Sequence, residues 1–163
     1  MEAVAELATS GRAASVPPAV DLDYETYAAA EAEMGWYNGR AELVTDDDTE
    51  LDPEAVAMDL AMELSRRVGS DLIHGKVLVT TETGSIKVSV VGGVLQADVT
   101  REGDESVPRL GLTVNLRATV DPDELARIAR EAMGDVAAER ARVTAYESRS
   151  LIPGAPVPEH RIV

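Results

Sequence analysis

Few side chains in this chain could perform chemistry by themselves. Its two histidines are His74 and His160, and it contains no cysteine. Histidine is the usual general base and the commonest metal ligand at neutral pH, and two imidazoles with a carboxylate could hold zinc or cobalt. We therefore predict His74 and His160 as candidate metal ligands, with an ordinary half-exposed strand position for His74 as the alternative. No other cofactor is predicted, and no residue is predicted to be catalytic.

Common nucleotide-binding and catalytic motifs are missing from the sequence. It has no G-x-x-x-x-G-K-[ST] loop, no G-x-G-x-x-G fingerprint and no G-x-S-x-G elbow. The aspartates at residues 46–48 lack the spacing of a calcium-binding loop and are typical of a solvated loop. Carboxylate pairs can perform acid–base catalysis where burial raises one pKa. A carboxylate-based enzyme of unknown type therefore stays open, beside the main expectation of a protein that is not an enzyme.

The composition limits the class of protein. The 163 residues include 30 acidic and 15 basic side chains, which gives a formal net charge of −15. This length fits one domain with its own core. Such acidity argues against a nucleic-acid partner, and no apolar stretch is long enough to span a membrane. Without cysteine or an export signal, the chain is expected to be cytoplasmic. The acidity also fits a salt-adapted, halophilic source, with codon bias alone as the alternative.

Two segments begin with the same helix signal. Asp52-Pro53 and Asp121-Pro122 each place an aspartate at the N-cap and a proline at the first helical position. Gly69 is expected to end the first helix. Apolar residues recur at helical spacing, at Val56, Leu60, Leu64 and Val68 in the first helix and at Leu125, Ile128, Ala132 and Val136 in the second.

Alternating apolar and polar residues predict the strands. The clearest strand covers residues 112–120, where Asn115 and Arg117 share one face and could either bind an anionic ligand or face water. Strands at 73–80 and 86–91 form a predicted hairpin. Further strands are predicted at 40–45, 94–99 and 143–151.

The order of these elements predicts the fold. Each helix lies between two strands, and right-handed crossovers place both helices on one face of the sheet. We therefore predict an α+β two-layer sandwich, ferredoxin-like βαβ(β)βαβ, with an antiparallel or mixed sheet and two helices on one face. The other sheet face would be polar unless an aromatic segment, the C-terminal tail or a second copy covers it, so a homodimer is possible.

The chain is expected to divide into four parts. Four of its five aromatic side chains cluster in the second part, and they are expected to pack on the domain's own sheet. The alternative is an exposed patch that binds a protein partner through Tyr24, Tyr27, Trp36 and Tyr37. The parts are a disordered tail at 1–20, an aromatic helical segment docking on the core at 21–38, the α+β domain at 39–151, and an extended proline-rich tail at 152–163.

Three stretches carry a family resemblance. They are residues 23–38 with Gly35-Trp36-Tyr37-Asn38, residues 73–77 with Ile73-His74-Gly75, and the proline-rich residues 153–161. Their order and spacing resemble the C-terminal accessory region of archaeal-type CobW-like P-loop GTPases, which are metallochaperone or cobalamin-related proteins. The resemblance covers residues 21–163 but includes no GTPase domain, so none of the family's hydrolysis residues has a counterpart here.

The resemblance implies a non-enzymatic accessory or binding module that acts through a protein partner. The implied partner is a GTPase, a metalloenzyme or a corrinoid protein. The alternative is a small metal- or ligand-binding carrier that uses His74, His160 and carboxylates.

Overall fold

A computed structural model describes residues 34–46, 49–101, 106–138 and 140–153. The predicted N-terminal tail, most of the aromatic segment and most of the C-terminal tail lie outside these residues. So do Tyr24, Tyr27 and His160. The described elements, in chain order, are β1 (Gly35–Val44), α1 (Pro53–Val68), β2 (Leu72–Thr80), β3 (Gly84–Val91), β4 (Val94–Arg101), β5 (Arg109–Ala118), α2 (Pro122–Ala138) and β6 (Arg142–Leu151).

The six strands form one sheet in the order β4-β3-β2-β5-β1-β6. All five neighbouring pairs are antiparallel. Strand β5 lies between β1 and β2, and the β3–β4 pair extends the sheet beyond β2. Both helices pack on the same sheet face, which confirms the predicted α+β two-layer fold. Of the described helices, neither is long and apolar enough to cross a membrane.

Both helices begin as the sequence predicts. The Asp52 carboxylate accepts hydrogen bonds from the backbone N–H groups of Glu54 and Ala55, at 2.9 and 3.3 Å. Asp121 caps α2 with the same two distances. Such a cap satisfies backbone donors that have no partner within the helix. Gly69 ends α1 at φ 65°, a conformation that favours glycine.

The core lies between the helices and one face of the sheet, which we call the core face. Every second strand residue points into it, as the period of a strand requires. The helices contribute buried apolar side chains at Val56, Leu60, Leu64, Leu125, Ile128 and Met133, and the strands at Leu43, Val77, Val79, Ile86, Val88, Leu112, Val114 and Leu116.

Strand β1 begins at Gly35, five residues before the predicted start, so Trp36 and Tyr37 belong to the sheet and not to a preceding helical segment. Two glycines of this strand are required by packing. A Cβ atom at Gly39 would lie 2.1 Å from the Tyr37 hydroxyl oxygen, and one at Gly35 would lie 2.2 Å from a backbone oxygen of Val120. Glycine is therefore the residue that permits this strand.

Candidate functional site

The opposite side of the sheet, which we call the open face, carries aligned rows of polar side chains. In an antiparallel sheet, directly opposed residues on neighbouring strands point to the same face. Two adjacent rows cross the strands β2, β5, β1 and β6, and we call them the basic rows. The first consists of His74, Arg117, Trp36 and Leu151, and the second of Lys76, Asn115, Asn38 and Arg149.

Trp36 lies next to Arg117 in the first row and contacts it. The Arg117 guanidinium carbon lies 4.0 Å from the centre of the Trp36 ring, a cation–π contact. The indole Nε1 of Trp36 is buried and has no hydrogen-bond partner among the described residues. Buried donors nearly always have a partner, so a group that accepts this hydrogen bond would be stabilised here.

A pair of amides joins the two central strands in the second row. The side-chain nitrogen of Asn115 donates to the side-chain oxygen of Asn38 at 2.6 Å. This bond fixes both amides and leaves further donor and acceptor atoms on the same face. A pocket of about 280 Å³ lies over the rows, lined by Trp36, Asn38, His74, Lys76, Asn115 and Arg117. A second pocket of about 480 Å³ shares Asn38 and Asn115 with it and extends to Arg40 and Glu147.

The basic rows are electropositive. Burial, followed by the charges of Lys76 and Arg117, lowers the pKa of His74 below its usual value. The described rows hold four basic side chains and no carboxylate. Within the part of the chain that the structure describes, neither Lys76 nor Arg149 forms an ion pair. This arrangement attracts an anion and repels a cation.

Many basic side chains elsewhere in the described structure form ion pairs with carboxylates. Arg67 contacts Glu63, Glu131 and Asp135, and the remaining pairs include Arg140 with Asp59, Arg142 with Asp46, and Lys87 with Asp98. The basic rows bring Lys76, Arg117 and Arg149 together on neighbouring strands with no carboxylate among the row residues, in a chain whose net charge is −15.

The structure places the predicted site residues on different sides of the sheet or does not describe them. Trp36 and His74 lie on the open face, in the same row. Tyr37 is completely buried on the core face, where its hydroxyl oxygen is 3.0 Å from that of Tyr146, so its ring is not part of any exposed patch. The metal site of His74 and His160 stays a prediction because His160 is not described. No group of three potential metal ligands occurs among the described residues.

Several residues of the site were not singled out from the sequence. Lys76 and Arg149 were not assigned a role, and Asn38 was named only as part of the motif Gly35-Trp36-Tyr37-Asn38. In β1 and β2 these side chains alternate with apolar residues, which places them on the sheet face away from the core. This alternation could be read from the sequence. The sequence does not reveal which strands are neighbours, however, and the rows exist only because β5 lies between β1 and β2.

The pKa shifts of the described carboxylates can be compared with what a carboxylate-based enzyme needs. Hydrogen bonds from Arg66 and Arg67 lower the pKa of Glu63 to about 2. Lys87 likewise lowers the pKa of Asp98, and Arg127 lowers that of Glu124. A carboxylic acid that donates a proton near neutral pH needs a raised pKa. These shifts have the opposite direction, and the enzyme hypothesis stays a prediction.

Comparison with known proteins gives partial structural likeness only. No protein-family model and no curated protein matches the sequence. A hydantoinase/carbamoylase family amidase from Burkholderia ambifaria shows a TM-score of 0.36 and 21% identity, over 72% of this chain and 26% of that chain. An aminobenzoyl-glutamate utilization protein from Klebsiella pneumoniae shows a TM-score of 0.37 and 20% identity, over 77% of this chain and 30% of that chain. This chain thus spans less than a third of either protein, and likeness at this level does not extend to activity.

The resemblance to CobW-like GTPases is wrong. No family model supports it, and the two solved structures named above, which share part of this backbone, are an amidase-family protein and an aminobenzoyl-glutamate utilization protein and not CobW-like GTPases. The accessory and metallochaperone roles that the resemblance implied are withdrawn with it. The motifs were short. Gly35-Trp36-Tyr37-Asn38 is the start of strand β1, and its residue types follow the alternation of a strand, with Trp36 and Asn38 on the open face and Tyr37 in the core.

Proposed function

We propose that this domain binds a small anionic ligand, through a carboxylate or phosphate group, on the basic rows. The observation that supports the proposal best is the buried and unpartnered indole N–H of Trp36 beside the Arg117 guanidinium. A carboxylate or phosphate oxygen that accepted that hydrogen bond would lie beside the positive charge of the guanidinium. The proposal concerns binding and not catalysis.

Each group of the site has a distinct part in this proposal. Arg117 places the positive charge of its guanidinium beside the Trp36 indole, and that charge attracts a carboxylate or phosphate. Its stacking on Trp36 fixes the position of the charge, which lowers the entropic cost of binding. Lys76 contributes a point charge from the neighbouring strand. The amide pair of Asn38 and Asn115 contributes hydrogen bonds that distinguish ligands of different shape.

The second pocket suggests where the remainder of the ligand lies. It continues from the amide pair to Arg40 and Glu147, which oppose each other on β1 and β6. A ligand whose anionic group lies beside Arg117 would therefore extend towards Arg40, whose positive charge can attract a second anionic group. A dicarboxylate and inorganic phosphate are suitable first probes because they represent the two head groups without further chemistry.

Isothermal titration of the full chain with glutarate and with phosphate tests the proposal. We expect at least one of them to bind, and the Arg117→Gln variant to bind it about tenfold more weakly, or about 1.4 kcal/mol. The matched control is Arg142→Gln, on the same face but paired with Asp46, which should keep the affinity. Glutaramide, which lacks the charge, should not bind. If neither anion binds, or if both variants lose affinity equally, the proposal is wrong.

Two other expectations stay predictions beside this proposal. The cytoplasmic location and the homodimer have no bearing on whether the basic rows bind an anion in the single chain.

A further inference from the structure

We infer that residues 21–33 of this chain bind over the basic rows when no ligand is present, so that the protein carries its own competitor for the anion site. The inference rests on the proposed function, because the same basic groups would hold both occupants. Residues 21–33 lie outside the described residues. What supports the inference is the charge of the open face, the composition of the segment and the place where the segment joins the sheet.

The segment 21–33 is negatively charged, whereas the basic rows are positively charged. It contains five acidic residues and no basic residue among its 13 positions. The rows contain four basic side chains and no acidic one. In a protein of net charge −15, most pairs of surface regions repel each other, and this pair is an exception. The acidic residues are Asp21, Asp23, Glu25, Glu31 and Glu33.

The segment also enters the sheet beside the site. Strand β1 begins at Gly35, and Trp36 is the next residue and a member of the first basic row. Neighbouring strands are about 4.8 Å apart, so the four strands of the rows span roughly 15 Å. Thirteen residues reach roughly 40 Å when extended, and about half of that when helical. The segment can therefore cover the rows in either conformation.

Two other occupants fit the face less well. Residues 154–163 follow β6 in the sequence, and its last residue, Leu151, also belongs to the first row, but they contain one acidic residue, Glu159, and one arginine, Arg161. A second copy placed face to face would bring three more cationic side chains against Lys76, Arg117 and Arg149 of the first copy. Charge complementarity therefore favours residues 21–33 over both.

Apolar contacts on the same face would add to the charge attraction. Val91 and Val94 extend the first row beyond His74 and are 54% and 60% exposed. The segment supplies Leu22, Tyr24 and Tyr27. Burial of exposed apolar side chains by aromatic rings is favourable, and it would orient the segment across the sheet from β1 towards β3 and β4.

The first test neutralises part of the segment in the full chain. The variant Asp23→Asn/Glu31→Gln/Glu33→Gln should bind the anion probe at least about threefold more tightly, because the tethered competitor is weakened. The matched control Glu50→Gln/Glu82→Gln/Asp123→Asn removes three exposed charges elsewhere and corrects for the change in net charge. Equal affinities in the two triple variants would overturn the inference.

The second test detects the contact directly. Because the chain has no cysteine, Ala29→Cys provides one attachment point for a nitroxide label. We expect the label to broaden the backbone N–H resonances of Lys76 and Asn115, which are distant from it in sequence. Those of Leu60 and Ala129, on the helix side, should stay sharp. The broadening should decrease when the three charges are neutralised and at high salt.

The two tests separate this inference from the proposed function. If Arg117→Gln weakens anion binding but the label broadens neither Lys76 nor Asn115, the anion site stands and the intramolecular competitor is wrong. If the label broadens both resonances but Arg117→Gln leaves the affinity unchanged, the segment binds the face and the proposed function is wrong.

Discussion

The two faces of the sheet are built from the same strands and have opposite properties. On β5, Leu112, Val114 and Leu116 point to the core face and are at most 2% exposed. Their neighbours Asn115 and Arg117 point to the open face, where they join the basic rows. Two helices cover the first face, and no described element covers the second.

Because alternate residues of a strand point to opposite faces, one set of side chains serves folding and the other set is available for binding. The core face holds the apolar side chains whose removal from water drives folding. The open face holds the basic groups to which we assign the binding of an anion. A substitution on one face should therefore change stability, and a substitution on the other should change affinity.

The largest effect is expected from a cavity on the core side. Leu60 is completely buried in α1, and Leu60→Ala should lower the free energy of unfolding by about 2–5 kcal/mol. Urea denaturation followed by circular dichroism measures this. The control is Val91→Ala on the open face, where the side chain is already half exposed. A similar loss in both variants would show that the two faces do not differ as described.

The next largest effect is expected where a glycine permits core packing. Gly39→Ala places a methyl group 2.1 Å from the Tyr37 hydroxyl oxygen, so we expect a loss of about 1–3 kcal/mol. Gly134→Ala is the matched control, because nothing lies within 4 Å of its Cβ position in α2. It should instead stabilise the protein by up to about 1 kcal/mol. Unchanged stability of Gly39→Ala would contradict the buried position of Tyr37.

A change in the basic rows should affect binding and spare stability. Lys76→Gln is expected to weaken binding of the anion probe about five- to tenfold, which is about 1–1.4 kcal/mol, with the urea midpoint unchanged. Lys87→Gln on the neighbouring strand is the control, because Lys87 faces Asp98 at 2.6 Å. Equal affinities of the two variants would remove Lys76 from the proposed site.

The smallest effect concerns pH. The pKa of His74 is lowered in the fold, so the folded protein binds fewer protons than the unfolded chain below about pH 6.5, and stability should fall as the pH falls through that value. Protonation of His74 adds a positive charge to the rows, so affinity for sulfate, which does not titrate here, should rise a few-fold. His74→Asn should abolish this rise. Persistence of the rise in that variant would place its cause elsewhere.

The fold could be predicted from the sequence because its main signals are local. An aspartate before a proline caps each helix through its nearest backbone N–H groups, and strand alternation needs only neighbouring residues. The start of β1 was not predictable in this way. Gly35 and Gly39 interrupt the pattern, and the reasons for them are the Val120 backbone and the Tyr37 ring, which depend on tertiary structure.

The site could be predicted only in fragments. Alternation placed Asn115 and Arg117 on one face and suggested an anionic ligand. Trp36 was expected to pack on the sheet, but it was not connected with Arg117. Their contact depends on the pairing of β1 with β5, and that pairing joins segments roughly eighty residues apart. The family resemblance did not supply it, because short motifs carry no information about register.

The central claim is that an anion binds beside the single tryptophan of this chain. The most direct measurement follows the Trp36 indole N–H resonance while glutarate or phosphate is added to the ¹⁵N-labelled full chain. We predict a saturable downfield shift, because the indole N–H gains a hydrogen bond to an anionic oxygen, and a much smaller shift in the Arg117→Gln variant. An indole resonance that does not move for either anion, or that moves equally in the variant, would contradict the account.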